Sequence, residues 1–349
     1  MVESIKAPTS VVVSAPANTM LMGEHAVLFG HSALVCALTQ RIYVQAHNYT
    51  DEQDAQSSQI VIESKLGHFS CALSDLDTHL GAHSSFSFVL QALAMVHLTV
   101  GVRLVIESEF DHTLGLGSSA AVTVAVLGAM SLLTKGQVSI EEVMRLGIKV
   151  IRKVQSSGSG ADVAASAMGG IVKFTAKPVS AVKVALCAKD FSKAPNLRLV
   201  YCGYKTATPV VIAYVAAAAK KQPKHFQQCY ENMGACVETS VAALSHGQWP
   251  VFAQCMNEYQ SLMRDIGVSD DITETIIGLG QNQARHQTST HGISPYGAKI
   301  SGSGLGDCVL LLGSEAIEWP HAQISVQIDP QGLRQEKSLP SQTQTEKVL

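Results

Sequence analysis

The stretch DHTLGLGSSAAVTVAVLGAM, residues 111–130, decides how the rest of the chain is read. It follows a β-branched run, VRLVIE (102–107), and passes through Gly115 and Gly117 into an apolar segment long enough for a helix. Glycines let backbone N–H groups approach an anion closely. A helix that starts directly after them adds unsatisfied donors and the positive end of its dipole. Gly115, Leu116, Gly117, Ser118, Ser119 and Ala120 are therefore a candidate phosphate cradle. An ordinary helix cap by serine is the competing reading of the same residues. The spacing Gly115, Gly117, Ala120 also fits a dinucleotide fingerprint, but no strand with an acid follows about 20 residues on, as that motif needs. The chain instead reaches Lys135 and starts a second helix. No GxxxxGK[ST] pattern occurs, which excludes a P-loop.

Outward from this stretch, short runs at 10–15, 41–46 and 59–63 predict further strands, and patterns at 84–98, 119–133 and 139–154 predict helices. Strands and helices in this irregular order argue against a doubly wound sheet and for an α+β chain. Strands are expected again at 170–174, 182–187 and 197–204, followed by helices at 209–220, 224–246, 249–263 and 270–285. Extended runs ending at Ile300, at 308–312 and at 322–328 complete the pattern. At 349 residues the chain is long enough for two domains. The expected division is 1–188 and 189–328, at the polar stretch KDFSKAPN, with a polar tail, 329–349, expected to be disordered.

Composition narrows the function. Hydrophobic residues make up 46% and charged residues 15%, so a large core is expected. With 25 Lys+Arg against 28 Asp+Glu, there is no basic footprint for nucleic acid or an anionic membrane. The eight cysteines contain no CxxC pair and read as reduced core thiols, and the N-terminus lacks the pattern of a signal peptide, so the expected compartment is cytoplasmic. Two stretches without charged residues, 84–102 and 113–134, read as core helices rather than membrane spans, because polar and Gly/Ser residues interrupt both.

Three more clusters carry chemistry. KISGSGLGDCVLLLG (299–313) sets Gly302, Ser303 and Gly304 between two strands, which is either a backbone-driven bulge or a second loop on a shared phosphate-rich ligand. In SAPANTMLMGEHAVLFG (14–30), Glu24 and His25 interrupt an apolar run and must be paired or functional. Asp162, in SSGSGADVAASAMGG, is an acid among small residues, which leaves room for a substrate hydroxyl; a helix cap is its alternative.

Taken in order, AP-x-N-x-x-L-x-GEHAVLFG, GLGSSAAV, SGSGADVA with the following GG, and KISGSGLG resemble the GHMP small-molecule kinase superfamily, most closely its mevalonate kinase branch. The resemblance implies a two-domain GHMP kinase fold, with an S5-like N-terminal α/β domain and a ferredoxin-like C-terminal one. It implies ATP and Mg2+ as cofactors, with Ser119 on the metal and Gly115 through Ala120 around the ATP phosphates. Asp162 would be the catalytic base, Glu24 and His25 would face the acceptor alcohol, mevalonate or a relative, and Gly302, Ser303 and Gly304 would close over the substrate. Monomer or homodimer stays open. The chain departs from the family pattern at Asn18, where a lysine is usual, at Ile151, where a metal-binding glutamate is usual, and at Asp307, where a small residue is usual. Its SGSGADVA segment is similar to the phosphomevalonate kinase form.

Overall fold

The computed structural model describes residues 8–49, 57–81, 85–156, 158–186, 196–291 and 296–340. Two strands dominate its first half, β1 (Ser10–Met22) and β2 (Ala33–Asn48), antiparallel from Ser10↔His47 to Met22↔Leu34. Both are longer than their β-branched runs suggest. The register shifts between Pro16 and Asn18 and again between Met20 and Met22, so the ladder bends where the small and polar residues lie.

β3 (Gln59–Ser64), β4 (Gly67–Ala72) and β5 (Val102–Ser108) extend this sheet on one side, with β3 and β5 parallel. β6 (Ile171–Ala176) pairs with β2, and β7 (Val179–Lys183) pairs with β6. Four helices cover it: α1 (Ser87–Leu93), α2 (Ser118–Lys135), α3 (Ile140–Gln155) and α4 (Ala161–Met168). α2 is buried from Thr123 to Leu133 and packs on β1, β2 and its neighbouring helices. Its length and hydropathy would allow it to cross a membrane, but burial on nearly every face makes it a core helix. α3 has water on one side and is capped by Ser139, whose hydroxyl accepts from the Glu142 N–H.

The second half builds a four-stranded antiparallel sheet in the order β11-β8-β10-β9, from β8 (Leu197–Lys205), β9 (Gly297–Ser301), β10 (Gly306–Leu312) and β11 (Gln323–Val326). Four helices accompany it, α5 (Thr208–Lys221), α6 (Pro223–Ser245), α7 (Trp249–Asp265) and α8 (Asp271–His291). The expected division at 188/189 falls outside the described residues; strands β1–β7 precede it and the four-stranded sheet follows it.

The chain then returns to the first sheet, which corrects the expectation of a disordered tail for residues 329–340; residues 341–349 lie outside the described residues. β12 (Arg334–Glu336) pairs with β1, and the Ser14 hydroxyl donates to Glu336 Oε1 at 2.6 Å. Arg41, buried on β2, is ion-paired with Asp329 and donates to the Ser14 hydroxyl at 2.8 Å and to the Gly332 carbonyl. The Asp329 and Leu333 N–H groups bond the carbonyls of Ala37 and Ala167. Polarity misled the sequence reading here, because these polar residues answer a buried guanidinium.

Removing Asp329 leaves that guanidinium buried without a counter-ion, held only by neutral oxygens. Asp329→Ala is expected to destabilise the fold by about 3–5 kcal/mol, read by urea unfolding; a loss within about 0.5 kcal/mol, normal for a surface change, would contradict this role.

Candidate functional site

Five segments converge in one cleft: the turn after β1, the glycine turn before α2, the first turn of α4, the end of β8 and the β9–β10 loop. Gly117 takes the left-handed conformation (φ +66°) that starts α2, and no side chain caps the helix. The serine-cap alternative therefore fails, and the first-turn donors are free of side-chain partners. Asn18 holds this turn from below. Its Nδ2 donates to the Gly117 carbonyl at 3.3 Å and to the Ser166 hydroxyl at 2.9 Å, and its N–H donates to the Leu116 carbonyl. A Cβ at Gly117 would overlap the Asn18 side chain. Asn18 is thus spent on supporting the loop.

Asp162 lies in the first turn of α4, behind Gly160. Its carboxylate does not cap the helix and makes no hydrogen bond among the described residues, so the cap alternative fails here too. The side chain is exposed, in a pocket of densely packed neighbours. Desolvation, reinforced by Glu24 and Asp307 and opposed by Lys205, raises its pKa to about 6.

Glu24 and His25 are both buried. Glu24 Oε1 accepts from the Lys299 ammonium at 2.6 Å and lies 3.4 Å from the Gly302 N–H, while Oε2 is buried without a partner. Burial raises the Glu24 pKa and lowers that of Lys299. His25 sits at φ +60°, unusual for a residue with a Cβ, and its Nε2–H donates to the Ser303 carbonyl at 2.8 Å. Burial lowers its pKa, so the ring is neutral with the proton on Nε2. Both residues join the first sheet to the β9–β10 loop rather than projecting freely into the cleft.

The two glycine loops, far apart in sequence, meet. Asp307, at φ +69°, presses against the backbone of Gly115, where a Cβ would overlap Oδ1. The Cys308 thiol donates to the Leu114 carbonyl at 3.4 Å. Asp307 Oδ2 pairs with Lys205 at 2.8 Å, and Oδ1 is buried without a partner. This contact favours the shared-ligand reading of the second loop over the plain bulge.

Neighbouring residues with no place in the site are engaged elsewhere. Ile151 is buried against Gly158, so no carboxylate occupies that position. Lys173 is bound by Glu238 at 2.6 Å, and Arg152 by the carbonyls of Gly158 and Ser159. No group of three or more His, Cys, Asp or Glu suited to a metal exists among the described residues. An open groove on the first sheet, lined by His47, Glu63, His68 and Arg103, lacks the glycine loops, and its main charges satisfy each other at 2.9 Å. Sequence reasoning missed Lys299. The only signal was its position on a strand leading into the glycine loop.

With this geometry established, three comparisons bear on it. Residues 84–170 match the family model for the GHMP kinases N terminal domain, and residues 3–47 match the galactokinase galactose-binding signature. The chain is similar to the mevalonate kinase of Thermococcus onnurineus, 29% identical over 354 residues that cover 95% of this chain and 99% of the relative. It superposes on the solved mevalonate kinase of Methanococcus jannaschii with a TM-score of 0.73 at 19% identity, over 91% of this chain and 98% of the other. It also superposes on Streptococcus pneumoniae phosphomevalonate kinase in complex with phosphomevalonate and AMPPNP, with a TM-score of 0.68 at 16% identity, over 90% and 99%. The fold is the expected α+β GHMP kinase fold.

The contact between the glycine loops is testable without a ligand. Gly115→Ala and Asp307→Ala are each expected to cost stability, and together they are expected to cost less than their sum by about 0.5–3 kcal/mol, because the new methyl and the carboxylate compete for one space. Additive losses in a double-mutant cycle would separate the loops.

Proposed function

We propose that this chain, which has the fold and the N-terminal domain of the GHMP kinases, is an ATP-dependent mevalonate kinase, transferring the γ-phosphoryl group of ATP to the 5-hydroxyl of mevalonate. The observation that carries the reading is Asp162: an exposed, unbonded carboxylate with a raised pKa, within charge reach of Asp307, whose side chain lies against the first glycine loop. The similarity to archaeal mevalonate kinases over nearly the whole chain supports the choice of acceptor.

Phosphoryl transfer asks the protein mainly to position groups and balance charge. The backbone N–H groups from Gly115 to Ala120 would bind the ATP phosphates at the start of α2. Asp162 would take the proton from the acceptor hydroxyl as its oxygen bonds to the γ-phosphorus and the bond to the β-phosphate oxygen breaks, releasing ADP. The neutral ring of His25 and the bare Oε2 of Glu24 would border the acceptor, and Gly302, Ser303 and Gly304 would cover it. A magnesium ion would neutralise charge on the phosphates. The half-buried Ser119 hydroxyl and the unpartnered Asp307 Oδ1 are the oxygen donors that fit it, consistent with an ion held by few protein ligands plus phosphate. A cytoplasmic enzyme agrees with the seven described cysteines, all free thiols.

Phosphomevalonate kinase is the second reading, favoured by the SGSGADVA segment around Asp162. The experiment is an ADP-release assay with ATP and magnesium, run with mevalonate, phosphomevalonate, galactose and homoserine in parallel. Release with mevalonate alone is expected; release with phosphomevalonate alone moves the assignment to the second reading. Silence with nucleotide still bound would make the chain a ligand sensor. Asp162→Asn is expected to lower kcat about 10²–10⁴-fold, the usual share of a general base, with ATP affinity nearly unchanged. Because the base must be ionised, activity is expected to rise with pH through about 6 and to be lost below it.

A further inference from the structure

A phosphoryl group in flight carries negative charge on its equatorial oxygens, and catalysis requires a positive group aimed at them. The described residues around the cleft offer few. Lys299 is fully buried and bound to Glu24. Arg152 is turned to backbone carbonyls, and Lys173 to Glu238. Asn18 is neutral and bonded to the loop and to Ser166.

Lys205 differs from all of these. It ends β8 opposite Gly306, and a bulge between Gly306 and Cys308 takes Asp307 out of the ladder. That bulge sets the Asp307 carboxylate between the Lys205 ammonium and the backbone of Gly115. The lysine side chain is 43% exposed, so its ammonium is paired with Asp307 and still reaches solvent. Its charge also reaches Asp162, whose pKa it lowers. The ammonium therefore lies one carboxylate away from the phosphate loop and within charge reach of the base.

We propose that Lys205, positioned by Asp307, is the cation that stabilises the transferring phosphoryl group. The proposal rests on the kinase reading above but not on the identity of the acceptor. As a γ-phosphoryl group arrives, the ammonium keeps one hydrogen bond to Asp307 and turns a second toward the phosphoryl oxygens. No bond to Lys205 forms or breaks, and its proton stays in place.

The test uses the full chain with ADP, magnesium and aluminium fluoride, a mimic of the phosphoryl group in flight that needs no acceptor. Binding is measured by calorimetry with and without fluoride. In the unaltered chain, fluoride is expected to tighten binding. In Lys205→Ala that gain is expected to fall about 10²–10³-fold while affinity for ADP alone is unchanged, and Lys205→Arg is expected to recover part of it. A bare Asp307 would repel phosphates by itself, so the Lys205→Ala/Asp307→Asn double variant is decisive. If Asp307→Asn alone keeps the gain and the double variant lacks it, Lys205 is the cation; if the gain returns in the double variant, or Asp307→Asn alone loses it as fully, the effect is not that of the Lys205 charge and the proposal is overturned. Equal loss of ADP affinity in Lys205→Ala would also overturn it. A chain that shows the Lys205-dependent gain but phosphorylates no mevalonate keeps this proposal and loses the acceptor assignment, whereas a chain that binds no ADP loses both.

Discussion

Lys299 and Glu24 meet where the two sheets meet, one from β9 and the other from the turn after β1, and neither charge reaches water. Such a pair contributes little net stability, since desolvation of both ions offsets their attraction, but it is intolerant of misplacement, because either charge alone would be stranded. The Lys299 ammonium also lies over the Tyr259 ring at 5.5 Å, and the Tyr259 hydroxyl donates to the Glu24 carbonyl. Thr19 and Ser301 share a hydrogen bond at 2.8 Å, and His25 reaches Ser303. These contacts leave the sheets one relative position, and the width of the cleft follows from it.

That fixed width explains the electrostatics of the site. Asp162, Glu24 and Asp307 come from three separate segments and are drawn into one cleft together with Lys299 and Lys205. Each acid raises the cost of ionising its neighbours, and each lysine lowers it. Asp162 has no cation in direct contact, and desolvation, with Glu24 and Asp307 nearby, raises its pKa to about 6. A carboxylate poised near neutrality is the outcome first of desolvation and then of neighbouring acids whose counter-ions are held elsewhere.

The glycine turn, Asp162 and the β9–β10 loop were legible because their signals are local: glycine before an apolar helix, and an acid among small residues. Most core elements were legible for the same reason, since α2, α3 and the β-branched strands carry their own periodicity. β4 was not, because its sequence GHFSCA has neither alternation nor β-branched residues and is a strand only through pairing with β3. The full length of β1 escaped too, since APANTM is extended by its neighbours rather than by propensity. Asn18 and Lys299 are legible as unusual residues but not as partners of Gly117 and Glu24, because such pairing depends on the sheets already being assembled.

The return of the chain to its first sheet sets the order in which the molecule can be completed. Ser14 waits for Glu336, 322 residues later, and Arg41 waits for Asp329. On the ribosome, the first half emerges with an open sheet edge and an unpaired guanidinium near its core, and it holds both until nearly all of the described chain has been made. The nascent N-terminal half is therefore the stage most exposed to mispairing and aggregation, and the last strand acts as a clasp that ends this exposure.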